Sequence, residues 1–352
     1  MTLYLNESDK NLKESILYSD DVGEFDQIII ISGYLGLEPL NELSKLGVNS
    51  TVVFGMYPTE GVDLKAHKIY QQFAEKNLNV MYSTSQEVHS KIYVWKKNEK
   101  VLKILVGSAN FTNVALVSEN REILVEVDSK DYQEAMKYVD NVIFNSTSSL
   151  NMDDSNLRLR TSKSQSGSTL LESDEDLLSS KNRVCILSLL DKSGNMPAAS
   201  GLNWGQSAKG NVNPNDSYIS IRVQNIRAFP EIFSEKAMIS ENQLGKKSRQ
   251  NDPVDVIFDD NTIMSCLLEG SQNLDGKTYP NKLSSFPKKS DLGKYFRSRL
   301  GTGDGEKITK KDLIDYGRTD VYIQKIGQDQ YYIDFSKAVS YTHLTLPTTE
   351  RV

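Results

Sequence analysis

The sequence predicts an α/β sandwich domain followed by a second, mostly-β domain of barrel or sandwich type. Three observations lead there. The chain has 352 residues, more than the ~100–200 typical of one domain. Its texture alternates strand-like and helical runs up to about residue 150, then turns from residue 183 to short strands broken by Gly, Asn, Asp and Pro. Between these parts lies a polar stretch, including TSKSQSGST and ESDEDLLSS, with few large apolar residues, which reads as a linker.

In the first part, Gln27 to Ser32, Ser50 to Phe54, Asn79 to Tyr82, Val88 to Trp95, Val101 to Val106 and Ile123 to Val127 have strand composition. Leu64 to Lys76 and Asp131 to Val142 have helical patterning, and such alternation argues an α/β sandwich. In the second part VCILSLL, SYISIRV, VDVIFDD, DVYIQKI and YYIDF are the strands, a barrel or sandwich with few helices. The expected limits are 1–150 and 183–338 for the domains and 151–182 for the linker. The last stretch, 339–352, contains Val339 to Thr349, which resembles the in-frame translation of a transposase sequencing adaptor. It is set aside as a tail, and His343 with it.

Composition narrows the function classes. The net charge is −6. Cys185 and Cys266 stand far apart without CxxC spacing or a histidine cluster, which argues against a disulfide framework or zinc site. Met1 is followed by Glu7, Asp9 and Lys10 rather than an apolar run, and no apolar stretch approaches the ~20 residues of a membrane span. A cytoplasmic location without membrane contact is expected. Charge also divides the chain: residues 1–150 carry 14 Lys and Arg against 21 Asp and Glu, a net of −7, and residues 183–338 carry 22 against 19, a net of +3. Phosphate neutralisation dominates nucleic-acid affinity, so any polyanionic ligand is better placed on the second domain.

The chemistry-bearing pattern is His89-Ser90-Lys91 within EVHSKIYVW, followed by Gly107-Ser108-Ala109-Asn110 and then by Asn120-Arg121-Glu122. If Val88 to Trp95 is a strand, His89, Lys91 and Tyr93 project from one face. The next strand then ends at a turn whose Ser108 hydroxyl and Asn110 amide can address the same point. A nucleophile, a cation and neutral donors suit a phosphoryl centre, whose oxygens gain charge in the transition state.

H-x-K followed by G-S-x-N resembles the phospholipase D superfamily, the HKD phosphodiesterases. The usual aspartate after the lysine is missing, and the chain reads Trp95-Lys96-Lys97 there. That departure is similar to a narrower group, the BfiI and NgoFVII-type restriction endonucleases, in which a glutamate after the second motif completes the site. Glu122 stands at the matching place, and the resemblance runs from about Gln27 to Lys337. SGLNWGQ, LGKYFRSRLG and DLIDYGRTDVYIQKI resemble the C-terminal domain of that group, a DNA-binding pseudobarrel of the plant B-three type, so the implied fold is a phospholipase D-like sandwich domain followed by a pseudobarrel.

The resemblance implies site-specific DNA cleavage with catalytic His89, Lys91, Ser108, Asn110 and Glu122. With one H-x-K set per chain, a homodimer supplies the two histidines, one as nucleophile through a phosphohistidine and one as general acid and base. Lys91, Asn110 and Ser108 hold phosphoryl oxygens, and Glu122 orients an imidazole. No metal or cofactor is expected for the nuclease step. Double-stranded DNA, a separate NTP-hydrolysing helicase-like subunit using Mg and ATP, and a cognate DNA methyltransferase are the implied partners. The alternatives are a phospholipase D-type lipid phosphodiesterase, disfavoured by the missing second H-x-K copy, and a catalytically silent DNA-binding protein, disfavoured by the intact catalytic set.

For base reading, Asn203, Trp204 and Gln206 in SGLNWGQ, Arg222 in SYISIRV, and Arg297 and Arg299 beside the Gly301 turn are the candidates. Arg pairs bidentately with guanine, and Asn or Gln with adenine. His67 reads as a surface or interface histidine, Lys246, Lys247 and Arg249 as a solvated loop, and Asp259-Asp260 and Asp128 as ordinary acidic residues.

Overall fold

The computed structural model describes residues 2–6, 11–18, 23–118, 121–153, 155–160, 184–208, 212–236, 238–241, 247–249, 251 and 253–337. Most of the expected linker, Lys246 and the tail lie outside the described residues, as do the side chains of Lys247 and Arg249.

The first domain is built on β1 (Leu3–Leu5), α1 (Leu12–Leu17), β2 (Gln27–Ser32), α2 (Leu37–Leu43), β3 (Asn49–Phe54), α3 (Tyr57–Glu60), α4 (Leu64–Phe73), β4 (Leu78–Ser83), β5 (Ile92–Lys97), β6 (Lys100–Gly107), α5 (Asn113–Val117), β7 (Ile123–Glu126), α6 (Tyr132–Phe144) and β8 (Ser146–Ser148). The eight strands form one sheet in the order β1-β7-β6-β5-β2-β3-β4-β8. β2, β3 and β4 are parallel, and the other pairs are antiparallel. The unbroken apolar run Ile28 to Ile31 follows from its central place. Ile28 and Ile30 face a core shared with α1, α2 and α4, whereas Ile29 and Ile31 face the smaller core under α6, so both faces of the strand are dry.

α4 buries Ala66, Ile69, Tyr70 and Phe73 at helical spacing, and its N-terminus is capped by the Asp63 side chain. His67 is buried with them, its Nδ1 2.7 Å from the Tyr82 hydroxyl. This corrects the expectation of a surface histidine: the ring completes a core hydrogen bond.

Two local features bring the motifs together. Asn98 and Glu99 both have positive φ, 48° and 65°, and join Lys97 to Lys100 in a two-residue hairpin, the turn geometry that matches strand twist. The register it sets, with a bulge at Trp95/Lys96, pairs Ile92 with Val106, and Gly107 N donates to Lys91 O at 3.2 Å. Strand β5 starts at Ile92 rather than Val88. His89 and Lys91 therefore lie in the extended entry segment, where Val88 presses so closely on Gly55 that a Cβ there would be 2.0 Å from Val88 O.

The second domain comprises β9 (Cys185–Ser188), β10 (Ile219–Ser220), α7 (Val223–Ala228), β11 (Met238–Glu241), β12 (Lys247–Arg249), β13 (Pro253–Phe258), β14 (Ile263–Glu269), β15 (Gln272–Leu274), β16 (Lys277–Tyr279), β17 (Lys282–Ser285), α8 (Ser290–Leu300), α9 (Lys310–Tyr316), β18 (Asp320–Gly327) and β19 (Gln330–Asp334). Seven strands form a curled sheet in the order β10-β17-β14-β13-β19-β18-β9, and β11-β12 and β15-β16 are separate hairpins. The sheet is nearly closed. Across the remaining gap, Asn225 Nδ2 donates to Ile186 O at 3.0 Å and the Arg222 guanidinium donates to Leu190 O. Cys185 and Cys266 are buried free thiols.

Every residue of β13 is buried. Val254, Val256 and Phe258 fill the barrel, whereas Ile257, with Ile326, joins the core of the first domain. Asp255 faces the same way as Ile257 and accepts from Glu38 N at 3.1 Å. Asn113 Nδ2 donates to Ser265 Oγ at 2.6 Å, and Gln330 Nε2 to Leu35 O at 2.6 Å. The barrel thus docks on α2 and α5 through a mixed apolar and hydrogen-bonded surface.

Candidate active site

The site forms where three strand ends meet. Ser32, the last residue of β2, buries a hydroxyl that donates to Tyr34 O at 2.6 Å and accepts from Phe111 N at 2.9 Å. It ties the chain after β2 to the turn after β6. Asn110 Oδ1 accepts from Tyr34 N at 3.2 Å and lies 3.4 Å from Ser32 Oγ, which fixes the amide. Gly33 lies between the two motifs: a Cβ there would be 3.2 Å from Asn110 Oδ1 and 3.5 Å from Lys91 Nζ. The first motif's cation and the second motif's amide oxygen therefore both approach the Gly33 backbone, where any side chain would crowd them.

Lys91 Nζ donates to His89 O. Burial holds its ammonium below the usual lysine range, an effect that the nearby Glu122 carboxylate partly offsets. The His89 imidazole is open to solvent, 66 % exposed, with Nε2 3.5 Å from Glu87 Oε2. Thr59 Oγ1 donates to the other oxygen of Glu87. Tyr93, on the same side of the sheet as Lys91, is buried and donates to Ala109 O at 2.8 Å, bracing the second motif from beneath.

His89, Lys91, Asn110 and Glu122 are thus gathered at one end of the sheet, with qualifications for the expected roles. Within a single chain, the carboxylate against the imidazole is Glu87, whereas Glu122 acts on Lys91 and Tyr93. The Ser108 hydroxyl accepts from Ile123 N at 3.1 Å and lies 3.5 Å from Ile123 O. It is engaged by β7. Gly107, beside it, is pressed onto the same strand, and a Cβ would be 2.1 Å from Ile123 O. Sequence reading missed Ser32, Gly33, Tyr34 and Glu87. Only Glu87 carried a signal, standing two residues before His89.

The base-reading candidates need correction. Arg297 and Arg299 lie in the last turn of helix α8, which ends at Gly301. Arg297 is 1 % exposed and donates to the carbonyls of Glu306 at 2.7 Å and Gly293 at 3.2 Å. Arg299 is held by Asp259 at 2.8 Å, Asp260 at 3.1 Å and the Tyr316 hydroxyl at 2.6 Å. Asn203 is buried, donating to Pro197 O and Ile308 O and accepting from Ile308 N. These groups staple loops to the barrel because a buried polar side chain must be satisfied internally, and they are not presented to a base edge. Gln206 likewise donates to Pro214 O and Gly305 O, and Arg222 bridges the barrel gap. Trp204 is half-buried, its ring edge-on to Tyr218, with Lys282 and Lys289 Nζ 4.8 and 5.1 Å from its centroid.

Residues 10–158 match the family model of the NgoFVII restriction endonuclease N-terminal PLD domain, and residues 177–327 match that of the NgoFVII C-terminal B3-like DNA-binding domain. Among solved structures, the chain is similar to Nuc, a phospholipase D family member from Salmonella typhimurium, at 12% identity over 42% of this chain and 97% of that one, with a TM-score of 0.30. NucT from Helicobacter pylori gives 12% identity, the same coverages and a TM-score of 0.31. Polyphosphate kinase from Porphyromonas gingivalis gives 15% identity over 42% of this chain and 24% of that one, with a TM-score of 0.27. No curated protein matches the chain. Among the described residues no helix is long and apolar enough to cross a membrane. Matched in order by both domain models, which together span more than half of its length, the chain belongs to the NgoFVII restriction endonuclease family.

Proposed function

We propose that the protein is a type II-like restriction endonuclease that hydrolyses DNA phosphodiester bonds at or near a specific site through a phosphohistidine. The observation that supports this most directly is the approach of Lys91 Nζ and Asn110 to one another over Gly33, next to an exposed His89. A phosphate oxygen beside Lys91 meets the ammonium, and with Asn110 Oδ1 held by Tyr34 N the NH2 end of the amide is left to donate to a second oxygen. His89 then attacks phosphorus in line, forming an N–P bond as the bond to the leaving deoxyribose oxygen breaks. That oxygen takes its proton from the His89 of a second chain, which afterwards removes a proton from the water that attacks phosphorus and breaks the N–P bond, freeing the phosphorylated DNA end. One H-x-K set per chain makes a homodimer with a composite site the economical arrangement.

Lys91 supplies the positive charge, and the Asn110 amide a neutral donor, for the developing oxyanion, so this step requires no cofactor. Mg and ATP enter only through a separate NTPase partner, and a cognate methyltransferase protects the host site. DNA is recognised by the B3-like domain, with Trp204 as the surviving contact candidate. The enzyme works in the cytoplasm, where its substrate is.

The test uses bis(p-nitrophenyl) phosphate, the full chain alone and EDTA. Turnover should persist in EDTA, acid-labile phosphate should be trapped on the protein, and His89→Ala should lose at least about 10²–10⁴-fold in rate, the share of a positioned acid or base. Loss of turnover in EDTA, or a fully active His89→Ala, refutes the mechanism.

A further inference from the structure

The segment from Ser32 to Glu38 is gripped from two sides. On one side it forms the site: Tyr34 N donates to Asn110 Oδ1, and Gly33 lies against Lys91 Nζ. On the other it is held by the B3-like domain: Gln330 Nε2 donates to Leu35 O, and Asp255 Oδ2 accepts from Glu38 N. Between them, Gly36 N donates to Phe111 O at 2.7 Å, next to Asn110. Gly36 is packed tightly enough that a Cβ would be 2.9 Å from Asp255 Oδ2 and 3.0 Å from Thr112 Cα.

Both anchors are out of place for a barrel that merely sits beside its neighbour. Asp255 is 2 % and Gln330 7 % exposed. Burying a carboxylate is costly unless its partners compensate, and those partners are a backbone N–H of α2 and the Asn113 amide on α5, 3.4 Å away. Asn113 follows the second motif by three residues. The contacts of the DNA-binding domain therefore fall on the two chain segments that shape the phosphate pocket.

We infer that Asp255 and Gln330 are positioning residues for phosphodiester cleavage: docked against the Ser32–Glu38 segment, they hold Tyr34 and Gly33 where Asn110 and Lys91 can bind the phosphoryl group. The inference rests on the nuclease reading above. It makes the barrel part of the catalytic framework as well as the DNA-reading module. Neither residue touches substrate; each acts through the backbone of one segment. Misplacement by about an ångström can cost on the order of 100-fold in rate, so a loosened segment registers in the chemical step.

The experiment measures bis(p-nitrophenyl) phosphate hydrolysis by the full chain, a substrate too small to need the B3-like domain for binding. Gln330→Ala and Asp255→Ala should each lower kcat by about 10–100-fold with KM changed less than kcat. Asp255→Asn, which keeps an acceptor for Glu38 N, should recover most of the loss. Gly36→Ala retains every polar group but wedges a methyl against Asp255, and it should reproduce the Ala effect. Circular dichroism melting confirms that each variant is folded; if Asp255→Ala is not, Gln330→Ala and Gly36→Ala carry the test. Unaltered or raised kcat in folded Gln330→Ala and Gly36→Ala overturns the inference, as does a loss confined to KM. An inert wild-type chain, by contrast, counts against the nuclease reading itself.

Discussion

Lys91 is the residue whose environment departs most usefully from the ordinary. Burial lowers its pKa and Glu122 only partly restores it, so the cationic form is lost at a lower pH than for a free lysine. If that cation holds a phosphoryl oxygen, kcat falls as pH rises through the lowered value. The alkaline limb of the wild-type profile should therefore lie below the usual lysine range, and Lys91→Arg, always charged, should move it upward or remove it at some cost in rate. A limb unchanged by the substitution assigns it to another group. Arg297 gives the opposite lesson at the same scale. Its guanidinium satisfies the carbonyls of Gly293 and Glu306 in the barrel interior, so Arg297→Ala orphans buried acceptors, each costing about 1–3 kcal/mol. Urea denaturation should show lower stability of the second domain, with affinity for different DNA sequences falling together rather than at one base position.

At the scale of elements, the site depends on the register between β5 and β6 and on the closeness of β6 to β7. The hairpin at Asn98 and Glu99 sets the first, and Gly107 permits the second. Gly107→Ala drives a methyl into Ile123 O and must shift β7, on whose N-terminal side Glu122 sits, at a cost of about 1–3 kcal/mol typical of overpacking. The expected result is a large fall in cleavage with DNA binding retained, because the barrel has its own core; a gel shift beside a cleavage assay separates the two. Strand limits were legible in the sequence only in part. β2 appeared in the sequence with its observed ends, since a strand buried on both faces is a plain apolar run. β5 was placed several residues early because the Val88–Lys91 entry segment alternates like a strand while its partners come from Gly55 and Gly107.

For the whole molecule, the interface around Asp255 makes stability depend on pH. Burial pushes the carboxyl up to about 7, against the pull of the Glu38 and Leu37 N–H groups and the Asn113 amide, with Asp329 adding repulsion; Glu38 on α2 is likewise raised, by burial first. A folded-state pKa above the unfolded one means the folded state prefers the proton, so the interface is favoured in acid and loses stability as pH rises from about 4 to about 7. Asp255→Asn removes this linkage. Its Tm relative to wild type should climb across that interval and level off above it, at about 2–4 °C per kcal/mol; a pH-independent difference, measured by calorimetry, would show that Asp255 is not the titrating group.

Domain order, most strands and the family that the motifs resemble were legible in the amino-acid sequence, as was the grouping of His89, Lys91, Asn110 and Glu122 that the structure brings to one end of the sheet. Short-range pattern suffices there, because strand periodicity and motif spacing are local properties that neighbouring residues impose on one another. The folded chain alone reveals that Glu87 faces His89, that Ser32, Gly33 and Tyr34 lie against Asn110 and Lys91, that Asn203, Arg297 and Arg299 are structural, and that Asp255 and Gln330 reach the Ser32–Glu38 segment. Whether a polar side chain is spent on its own fold or left for a ligand depends on which carbonyls and amides surround it. Those neighbours, as between Gln330 and Leu35, are brought together by sheet closure and domain docking rather than by any spacing along the chain.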